Sequence, residues 1–158
     1  MKERPIIFSG PMIPPILADT KTQTRRIVKP RADRDFGPRC RLQPHEIAGE
    51  INAGDWRNSA YGAPGDRLRV KESAWMWCER RPNGLTKTGR PRWQYVPLRS
   101  APVHYAADWP WPPTVAVVSP DTGNTWGWRL KIARFLPAWA SRITLEIVSV
   151  RVERVQEI

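Results

Sequence analysis

Ile143-Thr144-Leu145-Glu146-Ile147-Val148-Ser149-Val150-Arg151-Val152-Glu153-Arg154-Val155 is the stretch on which the fold turns. Apolar residues alternate at Ile143, Leu145 and Ile147, then change phase to Val148, Val150 and Val152. Alternation predicts a strand with one dry face. A slip of one residue within it predicts a β-bulge, or a strand that bends from one side of a small barrel to another. A second alternating run, Arg67 to Trp77, predicts another strand with Leu68, Val70, Glu72, Ala74 and Met76 on one face. That face is apolar except for Glu72, whose carboxylate must find a cation or a donor there, or become neutral.

Between and around these runs the chain is broken up. Its 17 prolines and 10 glycines in 158 residues disfavour long helices. Ile6-Ile7-Phe8 reads as a short strand, and Met12 to Leu17 as a helix shortened by Pro14 and Pro15. Thr22 to Val28 is β-branched and reads as a strand. Lys29 to Ala60 reads as a long loop with one helical turn near Pro44 to Glu50. Tyr61-Gly62-Ala63-Pro64-Gly65-Asp66 is a turn, with Asp66 capping backbone N–H groups. Arg80 to Pro102 reads as an extended excursion and Val103 to Ala107 as a brief strand; Trp109 to Pro113 cannot continue a ladder, because its prolines withhold their donors. Trp126 to Arg134 is ambiguous, and Pro137 to Arg142 reads as a tight or helical turn. The expectation is one α+β domain: a small, mostly antiparallel β-barrel with one or two short helices, and loop-rich insertions at 31–60 and 79–125.

A net charge of +11 points to a polyanionic partner, with nucleic acid first. Nine tryptophans suit stacking on unpaired bases, although indole is more often a buried anchor. No segment approaches the roughly 20 apolar residues of a membrane span, so no membrane partner is expected. Cys40 and Cys78, with His45 and His104, lack the spacing of a zinc site, and no metal or other cofactor is expected.

The densest polar cluster is Lys21-Thr22-Gln23-Thr24-Arg25-Arg26. Together with Tyr61 to Glu72 and with Pro137-Ala138-Trp139-Ala140-Ser141-Arg142-Ile143-Thr144-Leu145, it resembles the ASCH domain family, and more narrowly ASCH-like proteins of phages and prophages. The resemblance runs from about residue 4 to 158 and is weak over 31–60 and 79–125. It implies a PUA-like barrel with a cleft that binds RNA or a modified nucleoside. Independently of it, the lack of an N-terminal apolar run long enough for a signal peptide makes a cytoplasmic protein of a bacterial host or phage the expectation, as a monomer. Some members deacylate acetylcytidine, and another is reported as a ribonuclease. In the deacylases the lysine and the second threonine of the KTxT pattern are catalytic, which transfers to Lys21 and Thr24. The glutamate completing that site would lie beyond Ile158, as if the domain were truncated, and leaves Glu72 or Glu157 to substitute.

The chemistry of that cluster is two-sided. A neutral lysine can activate a threonine hydroxyl, and Arg25 and Arg26 would favour the neutral form; a charged lysine binds phosphate instead. Lys21, Thr24 and Glu72 are therefore the catalytic candidates, and Arg25, Arg26, Arg67, Arg69, Lys71, Trp139 and Arg142 the nucleic-acid-binding ones. The alternative from another class is a non-catalytic phage or prophage accessory protein that recognises nucleic acid by charge and stacking.

Overall fold

The computed structural model describes residues 1–109 and 126–154, and the chain forms two compact units. The first comprises Met1–Ile6, Gln23–Val70 and Arg142–Ile158, the second Ile7–Thr22 and Lys71–Ser141. Among the described residues the class is α+β, with mostly antiparallel sheets and two short α-helices.

In the first unit a three-stranded sheet has the order β1 (Glu3–Ile7), β4 (Arg67–Lys71), β9 (Thr144–Glu146). β4 and β9 are antiparallel, with Leu68 opposite Leu145. β9 is far shorter than the run Ile143 to Val155 predicts. Its partner explains why: Arg67, the first residue of β4, already faces Glu146, and before it the chain turns away through Ala63–Asp66. Two further bonds, Gly65 N to Ile147 O and Ile147 N to Asp66 O, end the pairing. Beyond them Val148 is exposed, and the phase slip marks where the neighbour runs out; Val155 lies outside the described residues.

The span from Lys29 to Ala60 is more ordered than a long loop. β2 (Arg31–Asp33) and β3 (Gly37–Leu42) form an antiparallel hairpin. The helix α2 (Pro44–Asn52) follows and exceeds the single turn expected. Pro44 occupies its first turn, where no N–H is missed, and the Gln43 N–H donates to the Glu46 carboxylate at 2.7 Å. Ile47 and Ile51, one turn apart, are buried. Gly54 then takes the left-handed conformation that ends the helix.

The second unit is built on β5 (Ala74–Leu85), which pairs with β6 (Pro91–Pro97) and β7 (Val103–Tyr105) along one edge and with β8 (Trp126–Lys131) along the other. The alternation starting at Leu68 holds as far as Cys78, with every second residue buried. It does not make one strand, however: Glu72 and Ser73 separate β4 from β5, which belong to different sheets. Arg80 to Pro102 is correspondingly no loose excursion. Its centre is a hairpin closed over Thr86–Arg90, where Thr86 N donates to Arg90 O and Gly89, at φ 77°, supplies the left-handed residue. The ambiguous segment from Trp126 is strand β8.

Ala74, Met76, Cys78, Leu136 and Ala140 form the core of this unit, with Tyr95, Val103 and Tyr105 packed against it. The Tyr105 hydroxyl donates to the Ala140 carbonyl at 2.9 Å, fixing the expected helical turn at Ala138–Ala140. The helix α1 (Ile13–Leu17) is as short as its prolines require, and buries Ile13 and Ile16.

Candidate nucleic-acid interface

The register of β5 against its neighbours sorts the aromatic and cationic side chains of the second unit onto two faces. Arg80 stands opposite Tyr95, and Pro82 opposite Trp93; across the other edge Met76 faces Arg129, and Ala74 faces Lys131. These residues share the face that carries the core residues Met76 and Cys78. On it two guanidinium groups lie over rings, Arg80 over Trp93 at 3.8 Å and Arg129 over Tyr95 at 3.7 Å. Between Arg129 and Tyr95 the row is small, Gly127 opposite Cys78, which leaves room for the long side chain to reach across. Lys131 Nζ donates to the Tyr95 carbonyl at 3.0 Å. The Cys78 thiol beneath is pushed above its ordinary pKa by burial, against the opposing pull of Lys131 and Arg129.

The opposite face is aromatic. Trp77 meets Trp128 edge to face at 5.5 Å between centroids, and His104 meets Trp128 at 4.8 Å. Trp128 is buried there, as an anchor should be, whereas Trp93 and Trp126 are about four-tenths exposed (44% and 39%). The indoles thus divide between packing and surface, and Trp111 lies outside the described residues.

The cluster Lys21 to Arg26 forms no strand, against expectation. Residues 20–30 carry no regular structure, and Thr24, Arg25 and Arg26 are exposed. Ile27 is 86% exposed, so the apolar residue that should have sat in a ladder finds no dry surface. What fixes the start of the cluster is the carbonyl of Pro15, which accepts from the backbone N–H of both Thr20 and Lys21 at 3.0 Å and from the Thr20 hydroxyl at 3.1 Å. Asp19, at φ 54°, makes the turn that brings them there.

Lys21 and Glu72 fall in the second unit and Thr24 in the first. Lys21 is half-buried, and Glu72 is 2% exposed at the connection between β4 and β5. Glu157 lies outside the described residues. Of the binding candidates, Arg67 is exposed on β4, Arg69 is held by Glu3 at 2.9 Å, and Lys71 donates to the Arg134 carbonyl. Trp139 is partly exposed with Arg99 5.8 Å from its ring, and Arg142 is exposed. Sequence reasoning missed Arg80, Trp93, Tyr95, Arg129 and Lys131. The signal was present in the one-residue spacing of Trp93 and Tyr95, but nothing local said that Arg129 would reach the same face.

Among the described residues no group of three or more His, Cys, Asp or Glu side chains is placed to hold a metal, and no helix is long and apolar enough to cross a membrane. No protein-family model, no curated protein and no solved structure matches the chain.

Proposed function

We propose that this chain binds single-stranded nucleic acid, RNA before DNA, through the face of the second unit that carries Arg80, Trp93, Tyr95, Arg129 and Lys131. The observation that supports it is the pair of guanidinium–ring stacks, Arg80 on Trp93 and Arg129 on Tyr95, in a chain of net charge +11. A ring beneath a guanidinium holds it flat, so less entropy is lost when its outer face stacks on a base or its edge meets a phosphate. Unpaired bases offer both groups at once, and duplex DNA offers mainly phosphates.

Fluorescence anisotropy with a labelled single-stranded RNA tests this. Stacking is worth about 1–3 kcal/mol per base, so Trp93→Ala is expected to weaken binding by roughly 5- to 150-fold. Three phosphate contacts would give log K against log salt a slope of about −2. An affinity that ignores both the substitution and the salt overturns the reading.

Deacylation of an acylated cytidine, or cleavage of RNA, on a PUA-like barrel is the second reading. The burial of Glu72, in the same unit as Lys21, favours it, since a catalytic carboxylate must be held in one position and a buried side chain is so held by its surroundings. Release of cytidine from acetylcytidine, lost in Lys21→Ala and in Glu72→Gln, is its expected outcome. No turnover by a protein that still binds RNA leaves the non-catalytic reading standing alone.

A further inference from the structure

The first unit contains an open cleft of about 400 Å³ lined by Met1, Lys2, Arg4, Arg34, Asp35, Trp56, Arg57, Ala63 and Asp66. Its size is that of a small-molecule site. The two carboxylates are already committed: Asp66 accepts from the backbone N–H of Lys2 at 2.7 Å and of Ala63 at 3.2 Å, and Asp35 pairs with Arg57. Arg4 is fixed from behind, its guanidinium donating to the carbonyls of Ser59 at 2.9 Å and Ala60 at 3.2 Å. Those carbonyls belong to a loop that is itself tied down. Arg31 donates to the Asn58 carbonyl at 3.0 Å, the Arg34 backbone N–H donates to the Asn58 side chain at 3.1 Å, and Gly62 N–H donates to the Ser59 hydroxyl.

The Lys2 ammonium and the Arg34 guanidinium, by contrast, make no hydrogen bond or ion pair among the described residues. Burial and the charges of Arg34 and Arg31 hold the Arg4 guanidinium below its ordinary pKa, and Asp66 only partly offsets them. Cations gathered without enough counter-charge are stabilised by an anion entering between them. Trp56, half-buried in the same wall, adds a flat apolar surface beside them.

We propose that this cleft binds the phosphate monoester of a nucleotide, with Lys2, Arg4 and Arg34 on the phosphate and Trp56 against the base. The proposal does not depend on the sheet of the second unit, because every residue that lines the cleft belongs to the first unit. The phosphate could be carried by a free nucleotide or by the 5′ end of a strand, and the chemistry of recognition is common to both.

Calorimetric titration of the full chain with uridine 5′-monophosphate, inorganic phosphate and uridine provides the test. The monophosphate is expected to bind at least about tenfold more tightly than uridine, since one charge-assisted contact alone is worth about that factor and uridine forgoes all three. Arg34→Gln should remove about the same factor without lowering the melting temperature, because that side chain supports nothing else, and Arg34→Lys should restore part of it. Equal binding of monophosphate and uridine, or an Arg34→Gln variant that binds the monophosphate as the parent does, overturns the proposal. The source is then assigned in a Trp93→Ala background, which weakens the sheet's contribution. A 5′-phosphorylated oligonucleotide that binds better than its 5′-hydroxyl form, with the difference abolished by Arg34→Gln, assigns the site to strand ends. Equal strands beside a tightly bound monophosphate assign it to free nucleotide.

Discussion

Gly62 shows how closely a single residue can be specified. It sits at φ 115°, and a Cβ there would lie 2.7 Å from Asp66 Oδ2, the oxygen that accepts from Ala63 N. Gly65, at φ 84°, has nothing within 4 Å of the same position. Gly62→Ala therefore combines backbone strain with a displaced carboxylate and should cost about 1–3 kcal/mol, against about 1 for Gly65→Ala. Parallel urea melts of the two variants check the order. The carboxylates of this loop also set an acid limit. Hydrogen bonds from Arg57 lower Asp55 to about 2 from 3.8, and those from the Lys2 and Ala63 N–H groups lower Asp66. A depressed carboxylate contributes stability that is present above its unfolded pKa and lost as pH falls through the folded one. Stability should thus decline between pH 3.8 and about 2, and less steeply in Asp55→Asn, as read by melts across that window.

At the scale of elements, β5 organises the second unit because its buried residues face one way while both its edges are paired. Met76→Ala would leave a cavity in the cluster formed with Cys78, Leu136 and Ala140, at a cost of about 2–5 kcal/mol by denaturant melt. The cysteines give a second readout. Cys40 is exposed on β3, and Cys78 is buried with its thiol pKa raised. One thiol is expected to react with a maleimide in the native protein and the second only in denaturant; prompt labelling of both would mean that the core opens readily.

For the whole molecule the net charge of +11 acts in two opposite directions. Self-repulsion destabilises the compact state, so added salt should raise the melting temperature. The same salt should weaken RNA binding, because phosphate contacts release counter-ions. Thermal melts and anisotropy titrations over one salt series measure both signs. The chain crosses between its two compact units after Ile6, Thr22, Val70 and Ser141, so neither unit is a continuous segment.

Much of this organisation was legible in the residues. The dry face from Leu68 to Met76, the turn at Gly65-Asp66, the short proline-started helix and the basic, tryptophan-rich composition were all readable, because each depends on local sterics or on counting. Alternation continued through Glu72 and Ser73 without marking a change of sheet, because it reports only which side of the chain is dry. Likewise Thr22 to Val28 has β-branched residues but pairs with no strand among the described residues, and a strand exists only where a neighbour supplies its hydrogen bonds. The sequence by itself determined the α+β class, the charge and the alternating faces. Tertiary structure alone decided that Trp77 meets Trp128, that Arg129 covers Tyr95 and that Lys2, Arg4 and Arg34 surround one cleft. Trp77 and Trp128, Arg129 and Tyr95, and Arg34 and the pair Lys2 and Arg4 lie tens of positions apart, and only strand pairing and loop closure, which no local pattern encodes, bring them together.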